Sequence, residues 1–242
     1  MAECRLATSR HLVRLYWTDD PATEPGKARA GLRALKRLAD WRVLDPLPGR
    51  PRGGVGGGSA ALVYGVGVGG ARLLARRGYR LRRMGVPGER FRAHMLACTQ
   101  LVVDLHAADR RGELDLIEIQ QEPACHRAFL GAWGARLWLR PDLFARVGVG
   151  ALEDRWFVEV DLGSEHAGTL LAKCRRYLAH WRSGAEQHEH GIYPRVLWAV
   201  PDARRAGELT RILGRLPGEA GRMFTVCLLD EGVARLAQEA RS

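Results

Sequence analysis

Lysine is almost missing from this chain: of its 38 basic residues only Lys27, Lys36 and Lys173 are lysines, and the other 35 are arginines. Long apolar runs are missing too, since none approaches the roughly 18 residues that a membrane span requires. The start, "MAECRLATSRHLVRLYW", shows no apolar core of a secretion signal, so the expected location is the cytoplasm, with no membrane partner. The five cysteines, Cys4, Cys98, Cys125, Cys174 and Cys227, are odd in number, scattered and never spaced as CxxC. That pattern excludes a disulfide framework or a zinc ribbon and leaves them as small core residues. A phosphate loop ending in GK[ST] and a GxSxG nucleophile elbow are also lacking, which removes two large enzyme classes.

What is present is positive charge, unevenly placed. The formal net charge is +11; Met1–Arg92 holds 19 Lys+Arg against 7 Asp+Glu, and the remaining residues hold 19 against 20. A coding bias explains arginine over lysine but not this asymmetry. A basic first part joined to a neutral second part points to a polyanion bound by the first. At 242 residues the chain is long enough for two domains with a core each.

In the first part, "TSRHLVRLYW" spaces Leu12, Val13, Leu15 and Tyr16 as a short helix capped by Thr8 or Ser9. "KARAGLRALKRLAD" then places Leu32, Leu35, Leu38 and Ala39 on one helical face and Lys27, Arg29, Arg33, Lys36 and Arg37 largely on others. The strand-like "WRVLDPL" and "AALVYGV" follow, separated by "PGRPRGGVGGGS", a glycine-rich loop carrying Arg50 and Arg52. A helix, a basic helix and a hairpin with a basic tip form the order of a winged helix-turn-helix. There the basic helix enters the major groove and the hairpin braces on phosphate.

"GVGVGG" satisfies GxGxxG at Gly65, Gly67 and Gly70, but a dinucleotide fold needs a second strand ending in an acid about 20 residues on. That region reads "RRMGVPGERF", so no nucleotide cofactor is expected and the glycines are assigned to a turn into the next helix. "RRMGVPGE" is taken as the linker, giving domains 1–84 and 85–242. Beyond it the pattern predicts a helix over "ERFRAHMLACTQLVVDLHAAD", strands at "ELDLIEIQ", "ARLWLRPDLFARVGV" and "DRWFVEVDLG", and a helix at "HAGTLLAKCRRYLAHW". A central strand "YPRVLWAVP", a helix and a last strand "MFTVCLLD" complete it. The fold class is therefore α/β (α+β), with an αβββαβαβ order around a mixed sheet in the second domain.

One stretch there calls for explanation. In "RWFVEVDLGSEH" the side chains alternate, so Phe157, Glu159 and Asp161 share one face of a strand apolar enough for a core. Either an outer face is wetted, or the carboxylates have a task. With Pro141-Asp142 on the preceding strand, Asp142, Glu159 and Asp161 could hold Mg²⁺ or Mn²⁺ through oxygen ligands and leave positions for water and phosphate.

These residues resemble the PD-(D/E)XK nuclease superfamily. Together with the first domain, the whole chain resembles the replication-relaxation family, on "LKRLADWRVLDPL", "ALVYGVGVGGARLL", "RAHMLACTQLVVDL", "LRPDLF", "FVEVDLGSE", "KCRRYLAHW" and "YPRVLWAVP". The resemblance implies a winged-helix DNA-binding domain and a restriction-endonuclease-like domain, in proteins of plasmids and integrated elements that serve replication and DNA relaxation for conjugative transfer. Two departures stand out. Asp161 occupies the place of the nuclease lysine, which leaves hydrolysis open. The residues before Thr8 are also too few for the additional helix the family usually has, so either the domain is trimmed or the true start lies upstream. Lys173, on the helix after the third strand, could supply the missing ammonium, or it is a solvated helix residue. In the resemblance a histidine falls at His94, with Glu118 or Glu122 as an extra acid. "HEH" at 188–190, with His180, reads as a polar loop, and no relaxase-type histidine cluster is visible.

The expected function is a DNA-binding protein of a plasmid or mobile element, contacting double-stranded DNA through Arg29, Arg33, Lys36, Arg37, Arg50 and Arg52, with a nuclease-like domain whose metal chemistry is lost or altered. One alternative is an active Mg²⁺-dependent endonuclease using Asp142, Glu159, Asp161 and Lys173. Another is a winged-helix transcriptional regulator with a dimerisation domain. A second copy of the chain, or a relaxase or replication protein, is the expected protein partner.

Overall fold

The computed structural model describes residues 4–48, 61–78, 87–131 and 134–239. The chain divides into two compact units, Met1–Ala107 and Ala108–Ser242. Of the expected linker "RRMGVPGE", residues 82–86 lie outside the described residues.

The first unit opens with strand β1 (Ala7–Thr8) and helix α1 (Ser9–Tyr16). Thr8 caps α1: its hydroxyl accepts from the His11 N–H at 3.0 Å, and the His11 ring accepts from the Thr8 N–H at 3.3 Å, the reciprocal arrangement of a capping box. Helix α2 (Pro25–Asp40) starts with proline at its first position, where a missing N–H costs nothing. Leu35 and Leu38 pack with Leu12 and Val13, whereas Leu32, expected on the buried face, is 49% exposed. The two helices approach at Gly31, where a Cβ would stand 2.9 Å from the Trp17 ring. β2 (Leu44–Pro46) and β3 (Val63–Val66) pair antiparallel, and β1 joins the other side of β3 in a three-stranded sheet of order β1-β3-β2.

Helix α3 (Val68–Ala75) follows β3 so closely that glycine is required. A Cβ on Gly67 would lie 2.3 Å from the Arg42 carbonyl oxygen, and one on Gly70 would lie 2.3 Å from that of Val43. The N–H groups of Gly67 and Gly69 donate to the carbonyls of Val43 and Arg42, at 2.9 and 2.8 Å.

The long helix α4 (Glu89–Arg110), expected wholly in the second domain, contains the division between the units. Its earlier turns belong to the first unit's core. Met95 packs with Leu6 and Val63, the Thr99 hydroxyl donates to the Leu6 carbonyl at 2.7 Å, and Arg14 pairs with Asp104 at 2.8 Å.

The second unit is built on a five-stranded mixed sheet of order β10-β9-β8-β7-β4. β4 (Asp115–Gln121), β7 (Leu143–Val149) and β8 (Leu152–Val160) are antiparallel neighbours, while β8, β9 (Arg195–Val200) and β10 (Phe224–Leu228) run parallel. Parallel neighbours need crossover helices, supplied by α5 (Ala167–Arg182) and α7 (Ala203–Leu213). Leu170, Cys174, Tyr177 and Leu178 of α5 and Leu209 and Ile212 of α7 close over Phe157, Val196, Trp198 and Val200 in one core. The chain is thus mixed α/β.

Two local expectations are corrected. "ARLWLRPDLFARVGV" is two strands: β6 (Arg136–Leu139) pairs with β5 (Arg127–Leu130) in a separate sheet, and β7 enters the main one. Pro141 lies at the break, because it has no N–H to continue a ladder. The "HEH" segment is a short helix, α6 (Ala185–His190), bounded by Gly184 and Gly191 at φ 71° and 79°. It is anchored by the buried Glu186, which pairs with Arg127 at 2.9 Å. All five cysteines are buried thiols, not joined in disulfides.

Candidate functional site

β8 is the middle strand of its sheet, not an edge, and its two carboxylates are not wetted: Glu159 is 1% and Asp161 3% exposed. Buried carboxylates are costly unless paired, and the structure supplies each with partners.

Lys173, one turn from Tyr177 on α5, brings its Nζ to 2.9 Å from Glu159 Oε2. The Tyr177 hydroxyl donates to Glu159 Oε1 at 2.7 Å. Lys173 Nζ is also 3.4 Å from Glu165 Oε1 and lies over the Trp198 ring, 5.6 Å from its centroid.

Asp142 immediately precedes β7. Continuing the register Leu143↔Val158 by one residue sets it opposite Glu159. Its backbone N–H donates to the Val158 carbonyl at 3.1 Å, and its Oδ2 accepts from the Val160 N–H at 2.8 Å. Asp142, Glu159 and Lys173 therefore meet at one end of the β7–β8 pair, with Glu165 and Tyr177 beside them.

Asp161 follows the end of β8 and goes elsewhere. Its Oδ2 accepts from Arg205 Nε at 2.7 Å and its Oδ1 from the Gly163 N–H at 2.9 Å. Arg205, on α7, also donates to the Glu165 carbonyl at 2.6 Å. The carboxylate expected as an added metal ligand is thus bound to a buried guanidinium that ties the β8–α5 loop to α7.

Burial pushes the Glu159 carboxyl up to about 7; Lys173 opposes this, and the charge of Asp142 adds to it. Burial pulls Lys173 down, but the carboxylates of Glu159, Asp142 and Glu165 outweigh it and hold the ammonium above its usual range. Tyr177 is raised well above the ordinary phenol by burial and then by Glu159, so it remains a hydrogen-bond donor. The carboxylates of Asp142 and Glu159 are hard oxygen donors with a fixed ammonium beside them, a chemistry able to take Mg²⁺ or Mn²⁺ and a phosphate oxygen.

The sequence model of the family described as replication-relaxation matches residues 1–196. The chain belongs to the replication-relaxation family. No curated protein and no solved structure matches it.

The other residues expected to act in this replication-relaxation protein are placed as follows. Arg29, Arg33, Lys36 and Arg37 are all exposed on α2, and among the described residues none of them is paired with a carboxylate. Arg50 and Arg52 lie outside the described residues. His94 is on α4, its Nε2 3.7 Å from Cys98 Sγ. Glu118 accepts from the Gln120 amide at 2.6 Å, and Glu122 pairs with His126 at 3.2 Å. His180 is buried against Phe129 and Phe157 and bonded to Tyr193 at 3.1 Å. His188 and His190 are on the separate helix α6.

Sequence reasoning placed Tyr177 only as core and passed over Glu165 and Arg205 altogether. The available signal was the Lys-x3-Tyr spacing of 173 and 177, which puts an ammonium and a phenol on one helical face.

Proposed function

We propose that this replication-relaxation protein binds duplex DNA through its first unit and carries, in its second, a divalent-metal centre for phosphodiester hydrolysis, in the service of replicating or relaxing a plasmid or integrated mobile element. The observation that carries the reading is the 2.9 Å approach of Lys173 Nζ to Glu159. The nuclease pattern needs an ammonium beside its glutamate, and the lysine missing at Asp161 is replaced from α5.

Asp142 and Glu159 would hold the Mg²⁺ or Mn²⁺, which when bound supplies Lewis acidity and an activated water. Lys173 would orient that water and balance charge developing on the phosphate. Tyr177 fixes the rotamer of Glu159, and Asp161 acts through Arg205 as a brace.

For the first unit, the element order β1, α1, α2, β2, β3 and the sheet order β1-β3-β2 support a winged-helix reading. The exposed cations of α2 are then the groove-facing set, and a fully buried Leu35, worth about 1.5–3 kcal/mol, anchors the opposite side of the helix.

One observation favours a second reading, a DNA-binding protein that does not cut: both Glu159 oxygens are already hydrogen-bonded, by Lys173 and Tyr177. Incubation of supercoiled plasmid with the protein and Mg²⁺ or Mn²⁺ separates the two. Nicking that disappears in Glu159→Gln supports the hydrolytic centre; metal binding without nicking supports the second reading.

A further inference from the structure

Beside the carboxylate–lysine centre lies a cavity of about 360 Å³ formed by the β8–α5 loop, the start of α5, one face of α7 and the turn after α7. It adjoins the centre through two side chains: Glu165, whose other contact is Lys173, and Arg205, which holds Asp161. Its charges do not cancel. Glu165 shares Lys173 with Glu159, and Glu208 is paired with Arg204 at 2.6 Å and Arg205 at 3.0 Å. Arg211, in the last turn of α7, and Arg215, in the turn after it, line the same cavity, are exposed, and have no ion-pair partner among the described residues. His166 lines it too, exposed and with no side-chain cap bond to α5. With three arginines against two glutamates the lining carries an excess of one positive charge, and Arg211 and Arg215 stand at a hollow too small for a protein element and large enough for one phosphate with its sugar.

We infer that this cavity is a strand-holding subsite, in which Arg211 and Arg215 grip a DNA backbone phosphate next to the phosphodiester at the Glu159–Lys173 centre. Guanidinium is the group suited to this work, since its planar fork matches two phosphate oxygens. The assignment rests on the proposed function insofar as the neighbouring centre acts on DNA.

The test uses the full chain, a fluorescent 20-base-pair duplex and a salt series, comparing wild type with Arg211→Ala/Arg215→Ala. Each phosphate that is no longer neutralised flattens the slope of log K against log salt by about 0.9. The double variant should therefore show a slope shallower by about 1.8 and a weaker affinity at low salt, with an unchanged melting temperature. An unchanged slope, whether or not the melting temperature falls, assigns the pair to capping the end of α7 and overturns the subsite. A titration with inorganic phosphate resolves the source of the ligand. Stabilisation by free phosphate that depends on Arg211 and Arg215, with the duplex slope unaltered, would make this a small-anion site and would also overturn the proposal. The thermal shift given to wild type by Mg²⁺ is read in parallel. Its absence would count against the metal centre and not against the subsite.

Discussion

Lys173 and Glu159 form an ion pair of 2.9 Å across 14 residues of sequence, one on a helix and the other on the central strand beneath it. Each changes what the other can do. The lysine keeps a nearly dry carboxylate from being only a buried cost, and the glutamate keeps the ammonium charged.

Replacing Lys173 tests that pair as chemistry. Lys173→Ala should lower metal-dependent plasmid nicking by about 10²-fold, the usual effect of removing one positioned charge-stabilising group. Lys173→Arg should not restore it, because a guanidinium is larger and cannot replace a compact ammonium at this spacing. Nicking equal to wild type in Lys173→Ala would remove the lysine from the centre.

The pH dependence follows from Glu159. Its carboxyl is raised by burial to about 7 from 4.5, so its contribution to folding is fully present below the unfolded value and is lost as pH rises through about 7. A divalent cation binds the ionised form and offsets that loss. The Mg²⁺-induced rise in melting temperature should therefore be larger at pH 8 than at pH 6, and Glu159→Gln should remove the difference.

Asp142 has two tasks that one atom change can separate. Asp142→Asn keeps an oxygen for the Val160 N–H and should melt near wild type while losing most of the metal-induced shift. Asp142→Ala strands that N–H and should cost a further 1–3 kcal/mol or so in urea unfolding.

Asp161 is expected to matter for stability and not for metal. Breaking a buried ion pair costs about 3–5 kcal/mol, so Asp161→Asn should lower the midpoint of urea unfolding strongly. The metal-induced shift, measured below the new melting temperature, should persist. A vanished shift with intact stability would return Asp161 to the ligand set.

The exposed face of α2 should carry sequence-independent affinity. Arg33→Ala/Arg37→Ala should weaken duplex binding and flatten its salt dependence by about 0.9 for each phosphate left without its arginine, with the metal-induced shift unchanged. Circular dichroism of the variant should match wild type, since both side chains are solvent-facing.

The mixed α/β class, the strand carrying Glu159 and its neighbour with Pro141-Asp142 were legible because period-2 alternation and a proline break are written locally. The β5–β6 pair was not, since four-residue strands leave too short a pattern to tell from one interrupted strand. Asp161 and Glu159 looked alike in sequence, being two residues apart on one face. Only the positions of α5 and α7 decide that one meets an ammonium and the other a guanidinium, and crossover helices are placed by packing at long range. Lys173 stood out by rarity, but its reach depended on the same packing.

The glycines of "GVGVGG" show how one composition can arise from different neighbours. A glycine pattern of this kind reports that something must come within about one atom's width of the backbone, and does not say what. At Gly67 and Gly70 the visitors are carbonyl oxygens of the chain itself, from Arg42 and Val43. The turn is thus electron-rich where a phosphate cradle is electron-poor, and the motif here records a chain folded tightly against its own turn between α2 and β2.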